Sequence, residues 1–267
     1  MSTELVTRRD YLQPLRRFIV TRAVAGAFVG ALPIPFFDDW AVGVVLGRGY
    51  RRIAASHQID LDDRAVNHLV FGKTQPTSVF DLALGSLAVR LATQSARRVL
   101  LAVSAMRRAR SAARTFATMT LFDHYCARLH TGLGLDPDRA LALRAEIDRA
   151  LDGTDGALAF HPFRKGIASA LRASVRAPLE LADVVSGGAL RRLLARRSDV
   201  TEAEVVDELE EALDRQLASE GNFLTRAVTA VELQLSAESN PFLEAALENF
   251  DRWWRAKVAA ETPPSAP

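Results

Sequence analysis

Residues 18–57 read FIVTRAVAGAFVGALPIPFFDDWAVGVVLGRGYRRIAASH, and this stretch decides the fold. A first helix is predicted over residues 11–32, opened by Arg16, Arg17 and Arg22 and given its apolar body by Phe18, Ile19, Val20, Phe28, Val29 and Leu32. Pro33-Ile34-Pro35 must end it, because proline removes amide donors and pushes its predecessor out of the α region. A second helix is predicted from Phe36–Asp39 to the neighbourhood of His57. Asp38 and Asp39 sit at its amino end, where carboxylates cap free amides and oppose the helix dipole. Arg48, Arg51 and Arg52 lie in its later turns, where cations are favoured. The stretch therefore encodes a helical hairpin with correct polarity in its second arm.

Each arm carries two glycines four residues apart, Gly26 with Gly30 and Gly43 with Gly47. That spacing puts both on one helical face and allows close backbone approach, the packing most used where helices meet in lipid. It predicts arms packed through their glycine faces; tight packing in a soluble core is the simpler alternative. Ala23 to Phe37 are 15 consecutive uncharged residues, and Trp40 to Gly47 add eight more after the Asp pair. A spanning helix needs about 20 apolar residues, so neither arm is a comfortable transmembrane span. Buried core, a re-entrant hairpin and an interfacial hairpin are all compatible with the pattern.

The composition around the hairpin agrees with helices. Of 267 residues, 44 are Ala and 35 are Leu, while only 13 Phe, three Trp and three Tyr supply aromatic mass. No alternating Ile, Val or Thr runs occur, which argues against a β-sandwich or a Rossmann-type enzyme. A 25% charged and 49% hydrophobic chain is neither disordered nor multi-spanning. The predicted fold is all-α: a multi-helix bundle with the apolar hairpin at one end of the chain and an acidic helical part after it.

Charge divides the chain. Residues 1–130 hold 18 Lys+Arg against nine Asp+Glu, and residues 131–267 hold 16 against 23, so a net +2 conceals +9 and −7. Thr131-Gly132-Leu133-Gly134-Leu135-Asp136-Pro137 marks the change of sign, with Asp136 as a cap and Pro137 at the first helical position. We read a basic region over 1–131, an acidic helical region over 132–260 and a disordered, proline-rich tail over 261–267. The asymmetry points to an anionic partner for the first region, or to mutual neutralisation within one fold.

Between hairpin and boundary, Asp60 and Asp62 are candidate caps for a helix over 64–71, followed by a loop at 72–76. Gly72-Lys73-Thr74 copies the end of a phosphate-binding loop but lacks its first glycine, the place being held by Asn67. Residues 78–129 form the longest helical tract, read as two helices with a break near 102–110. It carries Arg97, Arg98, Arg107, Arg108, Arg110 and Arg114 with no intervening Asp or Glu. Each arginine is worth about 1 kcal/mol near an anionic membrane surface. Only Phe116 is at hand to stack on bases, so nucleic acid is a poor fit. Further helices are predicted over 137–151, 162–176, 178–196, 201–219, 222–236 and 240–258, with Thr201 and Glu204 as a capping box. Trp253-Trp254, flanked by Arg252 and Arg255, suits a membrane interface or a protein anchor, or one indole closing the core.

No chemistry stands out. Asp123, Cys126 and His130 share a helical face, but a metal needs further ligands, and a packed core Cys is the plainer reading. No nucleophile elbow, HExxH or dinucleotide fingerprint is present, so neither enzymatic function nor a cofactor is expected. One cysteine and no signal segment point to a reducing, cytoplasmic setting.

The stretch Ala25-Gly26 through Ile53-Ala54, centred on Leu32-Pro33-Ile34-Pro35-Phe36-Phe37-Asp38, resembles the segment shared by YcjF-like domains and EcsC-type proteins. It departs from them at His57-Gln58, where those families tend to have Tyr-Gly, and in its arginine-rich second helix. The resemblance implies a bacterial, helical, membrane-proximal protein without known catalysis, working beside a GTPase or a transporter. Together with the charge pattern it leads to a peripheral protein on the inner face of the cytoplasmic membrane, its basic region on anionic lipid. A soluble adaptor for an acidic protein partner is the alternative.

Overall fold

The computed structural model describes residues 9–29, 37–72, 94–154, 161–173, 223–237 and 240–261. These residues are 87% helical, in eight helices. In chain order they are α1 (Gln13–Val29), α2 (Phe37–Ser56), α3 (Asp63–Phe71), α4 (Gln94–Arg128), α5 (Pro137–Asp152), α6 (His161–Ala173), α7 (Phe223–Ala237) and α8 (Pro241–Glu261). A 3-10 turn, Asp10–Leu12, leads into α1. The all-α bundle expected from the composition is the observed architecture.

Helix α4 is the axis. It packs against α1, α2, α5, α6 and α8, and its Ala109, Ala112, Ala113, Phe116, Met119, Leu121 and Phe122 are buried in one continuous core. The break anticipated near residues 102–110 is absent: α4 is a single 35-residue helix. Residues 94–128 contain neither glycine nor proline, and their Ala, Arg, Leu and Met are good helix formers, so nothing interrupts the hydrogen-bond ladder.

The aspartate caps form as expected. Asp62 Oδ1 accepts from the Ala65 amide at 2.6 Å, and Asp136 Oδ1 accepts from the Arg139 amide at 2.8 Å, with Pro137 opening α5. The far end of α3 is closed by a residue from α5. Arg144 donates to the Leu69 and Val70 carbonyls, which the helix end leaves without intrahelical partners, and to Asp148 Oδ2 at 2.9 Å.

The Thr131–Pro137 stretch joins the two charge regions rather than separating them. Gly134 and Leu135 (β2) pair in parallel with Asp60 and Leu61 (β1), and the side chains of Leu61 and Leu135 are buried. Both regions contribute buried side chains to the same core.

Of the hairpin, both arms are described and pack on each other. A Cβ at Gly26 would lie 2.9 Å from Leu46 Cδ2, so this glycine admits the second arm. Gly43 and Gly47 do not return the contact: a Cβ there would meet Phe71 at 3.2 Å and Val66 at 3.0 Å, both on α3. The arms therefore do not pack glycine face to glycine face, because α3 occupies the small face of α2. No helix among the described residues is long and apolar enough to cross a membrane. Gly30, Pro33, Pro35, the loop at 73–76, the predicted helices 178–196 and 201–219 and residues 262–267 lie outside the described residues.

Candidate functional site

Three consecutive residues of α4, Asp123, His124 and Tyr125, lie in the core. Successive helical residues point about 100° apart, so each can reach a different neighbour only on a helix enclosed by others. Asp123 Oδ1 meets His57 Nε2, at the end of α2, at 2.7 Å. His124 Nε2 meets Asp251 Oδ1 of α8 at 2.6 Å, and its Nδ1 meets the Tyr11 hydroxyl at 2.5 Å. The Tyr125 hydroxyl lies 3.0 Å from His130 Nδ1, and its ring packs edge-on against Trp254 at 5.0 Å.

Burial sets the protonation of this group. It pushes the Asp123 carboxyl above its ordinary value, although the His57 hydrogen bond works the other way. It lowers His124, against the pull of Asp251, and takes the Tyr125 hydroxyl up to about 12. The Cys126 thiol is held well above its usual range, by burial first and by Asp123 second, so it is a packed thiol rather than a thiolate. Asp123 Oδ2, His130 Nε2 and Trp254 Nε1 are buried without a hydrogen-bond partner among the described residues.

Asp123, Cys126 and His130 do not share a helical face. Helix α4 ends at Arg128, and the His130 amide turns back to the Tyr125 carbonyl at 2.9 Å, which carries the imidazole to Tyr125. Among the described residues no three His, Cys, Asp or Glu side chains are grouped to hold a metal. Nor do these groups line a chemistry assignable from sequence: Tyr11, His57 and Asp251 join α4 from positions 113, 66 and 127 residues away. One signal was available. An Asp-His pair inside the apolar run Leu121-Phe122-Asp123-His124-Tyr125-Cys126 demands buried partners, since unpaired polar groups there are costly.

The arginine tract is split. Met106, Arg107, Arg110, Ser111 and Arg114 form the exposed stripe of α4, while Ala109, Ala112 and Ala113 face inward. Burial lowers the pKa of Arg108. Arg114 is engaged within the fold, bridging Asp148 at 3.1 Å and Asp152 at 2.8 Å on α5. Arg97 and Arg98 lie on α4, with side chains outside the described set, as is that of Asp38 on α2. Arg9 pairs with Glu244 at 3.3 Å and Arg17 with Glu232 at 3.7 Å. Basic and acidic regions thus neutralise each other in part, and Arg114 is engaged by two aspartates of α5.

The tryptophan pair divides as well. Trp254 is 3% exposed and packs on Phe250 and Tyr125, so it is core and offers no surface. Trp253 is half-buried under the Arg149 guanidinium, 4.7 Å from its ring centre, and against Gly153, where a Cβ would lie 2.7 Å from the indole. Neither indole is an exposed anchor.

Comparison with known proteins finds no match, whether among family models, curated proteins or solved structures.

Proposed function

We propose that this chain is a non-catalytic helical protein that docks peripherally on an anionic membrane surface through Arg107 and Arg110 in the exposed stripe of α4. The observation that carries the reading is the arrangement around Arg107: an exposed cation on a helix whose small residues face the core, beside Met106, itself 47% exposed. Arginines so placed approach phosphate without unpacking the fold, and an adjacent methionine adds apolar contact. The likeness of the hairpin to YcjF-like and EcsC-type segments points the same way and adds a GTPase or transporter as neighbour.

Co-sedimentation with phosphatidylcholine vesicles, with and without phosphatidylglycerol, tests it. The protein should pellet only with the anionic vesicles. Arg107→Gln with Arg110→Gln should weaken binding about 30-fold, from about 1 kcal/mol for each arginine. Equal pelleting with both vesicles, or in neither, refutes the reading.

A second reading, an adaptor for an acidic helical partner, draws on Arg114. That residue already grips two aspartates four positions apart on a neighbouring helix. It predicts salt-sensitive binding of an acidic helical peptide, lost with the same two substitutions and indifferent to vesicles.

A further inference from the structure

The segment Arg9–Leu12 lies across α4 and α8, and three contacts fasten it. The Tyr11 hydroxyl meets His124, the Arg128 guanidinium lies 4.5 Å from the centre of the Tyr11 ring, and Arg9 pairs with Glu244. The direction of the hydroxyl contact depends on the protonation state of one imidazole. With its proton on Nε2, His124 donates to the Asp251 carboxylate, and the bare Nδ1 accepts from the Tyr11 hydroxyl. The opposite tautomer would set an Nε2 lone pair against a carboxylate at 2.6 Å.

A second proton disfavours the closed arrangement. Nδ1 becomes a donor, so the tyrosine hydrogen must turn away and its oxygen accept instead, and a cation forms on a side chain that is 4% exposed. The groups facing it are Tyr11 and Arg9 from the segment, Asp123 and Arg128 from α4, and Asp251 with the Phe250 ring from α8. Asp251 and Asp123 favour the imidazolium; Arg9 and Arg128 oppose it. Arg9 is the opposing charge that can leave, because it sits on the segment itself, while Arg128 is fixed on α4.

We propose that Tyr11, His124 and Asp251 form an acid-sensitive strap, which holds Arg9–Leu12 on α4 and α8 and releases it when His124 takes a second proton. The sign follows from burial, which lowers the imidazole pKa while the strap is closed. The closed form has its full stability above the ordinary imidazole value of about 6.5. It loses stability as pH falls below that value, and the loss is complete below the depressed one.

Hydrogen exchange of the intact protein tests this, with intrinsic rates corrected for pH. Between about pH 7.5 and about pH 5, residues 9–15 should lose protection, while α2 and α3 keep theirs. In His124→Gln, neutral throughout, the loss should vanish. Should that variant not fold, Tyr11→Phe keeps the ring under Arg128 and removes only the hydroxyl. It should show weak protection at both pH values, and an NMR titration should place its His124 closer to the ordinary value. Unchanged protection of the wild type across the window overturns the strap, as does a wild-type pH response in either variant.

Discussion

Oδ1 of Asp123 lies 2.7 Å from Nε2 of His57, which ties the buried end of α4 to the turn that closes α2. The carboxylate is 1% exposed, and its second oxygen has no partner among the described residues. Replacing His57 by Ala leaves it with none, at a cost of about 2 kcal/mol. Asp123→Asn keeps a group able to bond His57 and removes the buried charge, so it should cost less than about 1 kcal/mol. The two differ in pH dependence. Burial raises the Asp123 carboxyl above its ordinary value, so the folded state holds this proton more tightly and its contribution to stability falls as pH rises through the raised value. With His57 gone, that fall should move to higher pH; in Asp123→Asn it should disappear. Urea midpoints followed upward from about pH 4, the ordinary carboxyl value, read both effects.

Gln58 has a φ of 60°, the left-handed region that favours glycine. It follows the end of α2, where the Ile59 amide reaches the Ala54 carbonyl at 2.9 Å and the Gln58 amide the Ala55 carbonyl at 3.1 Å. That pair of bonds is the Schellman arrangement, which needs a left-handed residue at this place. A non-glycine there costs about 1–2 kcal/mol, against about 0.5–1 for glycine's extra freedom when unfolded. Gln58→Gly should therefore stabilise by about 0.5–1 kcal/mol, and Gln58→Val should destabilise. Thermal melts of the three proteins decide the order.

What was legible in the sequence was local. Asp62, Asp136 and Pro137 announce helix starts through bonds that span three residues, and α2 follows from its own charges and apolar faces. What was not legible depended on partners. Nothing near Gly43 or Gly47 says that α3, rather than α1, fills their face. Nothing near Arg114 names Asp148 and Asp152, and nothing near Trp254 tells that Tyr125 and Phe250 enclose it. The charge asymmetry was real, but its resolution through Arg9, Arg17 and Arg114 is long-range, and only the fold discloses it. The buried group around His124 was missed for the same reason: its three elements come from the beginning, middle and end of the chain.

Asp148 accepts from two arginines that should respond differently to substitution. Arg114 has a side chain 44% exposed, so its two aspartate bonds are screened and worth about 0.5–1 kcal/mol. Arg144 is 17% exposed and closes α3 through two carbonyls as well. Arg144→Ala leaves those carbonyls and a carboxylate oxygen without their donor and should cost about 2–3 kcal/mol. Urea denaturation at low and high salt separates the two: the Arg114→Ala deficit should shrink with salt, and the Arg144→Ala deficit should persist. Equal salt responses would mean that Arg144 acts only as a surface charge.

Gly166 and Gly49 both sit where helices approach closely, yet an added methyl should be felt very differently. At Gly166 a Cβ would lie 2.5 Å from Val231 Cγ2, 2.8 Å from the Val231 backbone nitrogen and 3.1 Å from its Cα. No rotamer change removes a backbone atom, so α6 and α7 must move apart over a face that also buries Phe163, Ile167, Ala227 and Val228. At Gly49 the closest atom, at 2.4 Å, is the terminal methyl of Met119, which three rotatable bonds can redirect. Overpacking a rigid contact costs about 1–3 kcal/mol, whereas alanine restores about 0.5–1 kcal/mol of helix propensity at either site. Gly166→Ala should therefore lower stability by about 2 kcal/mol, and Gly49→Ala should change it by less than about 1 kcal/mol. Denaturant midpoints give the comparison, and a Gly166→Ala protein as stable as Gly49→Ala would show that the α6–α7 contact can open without loss.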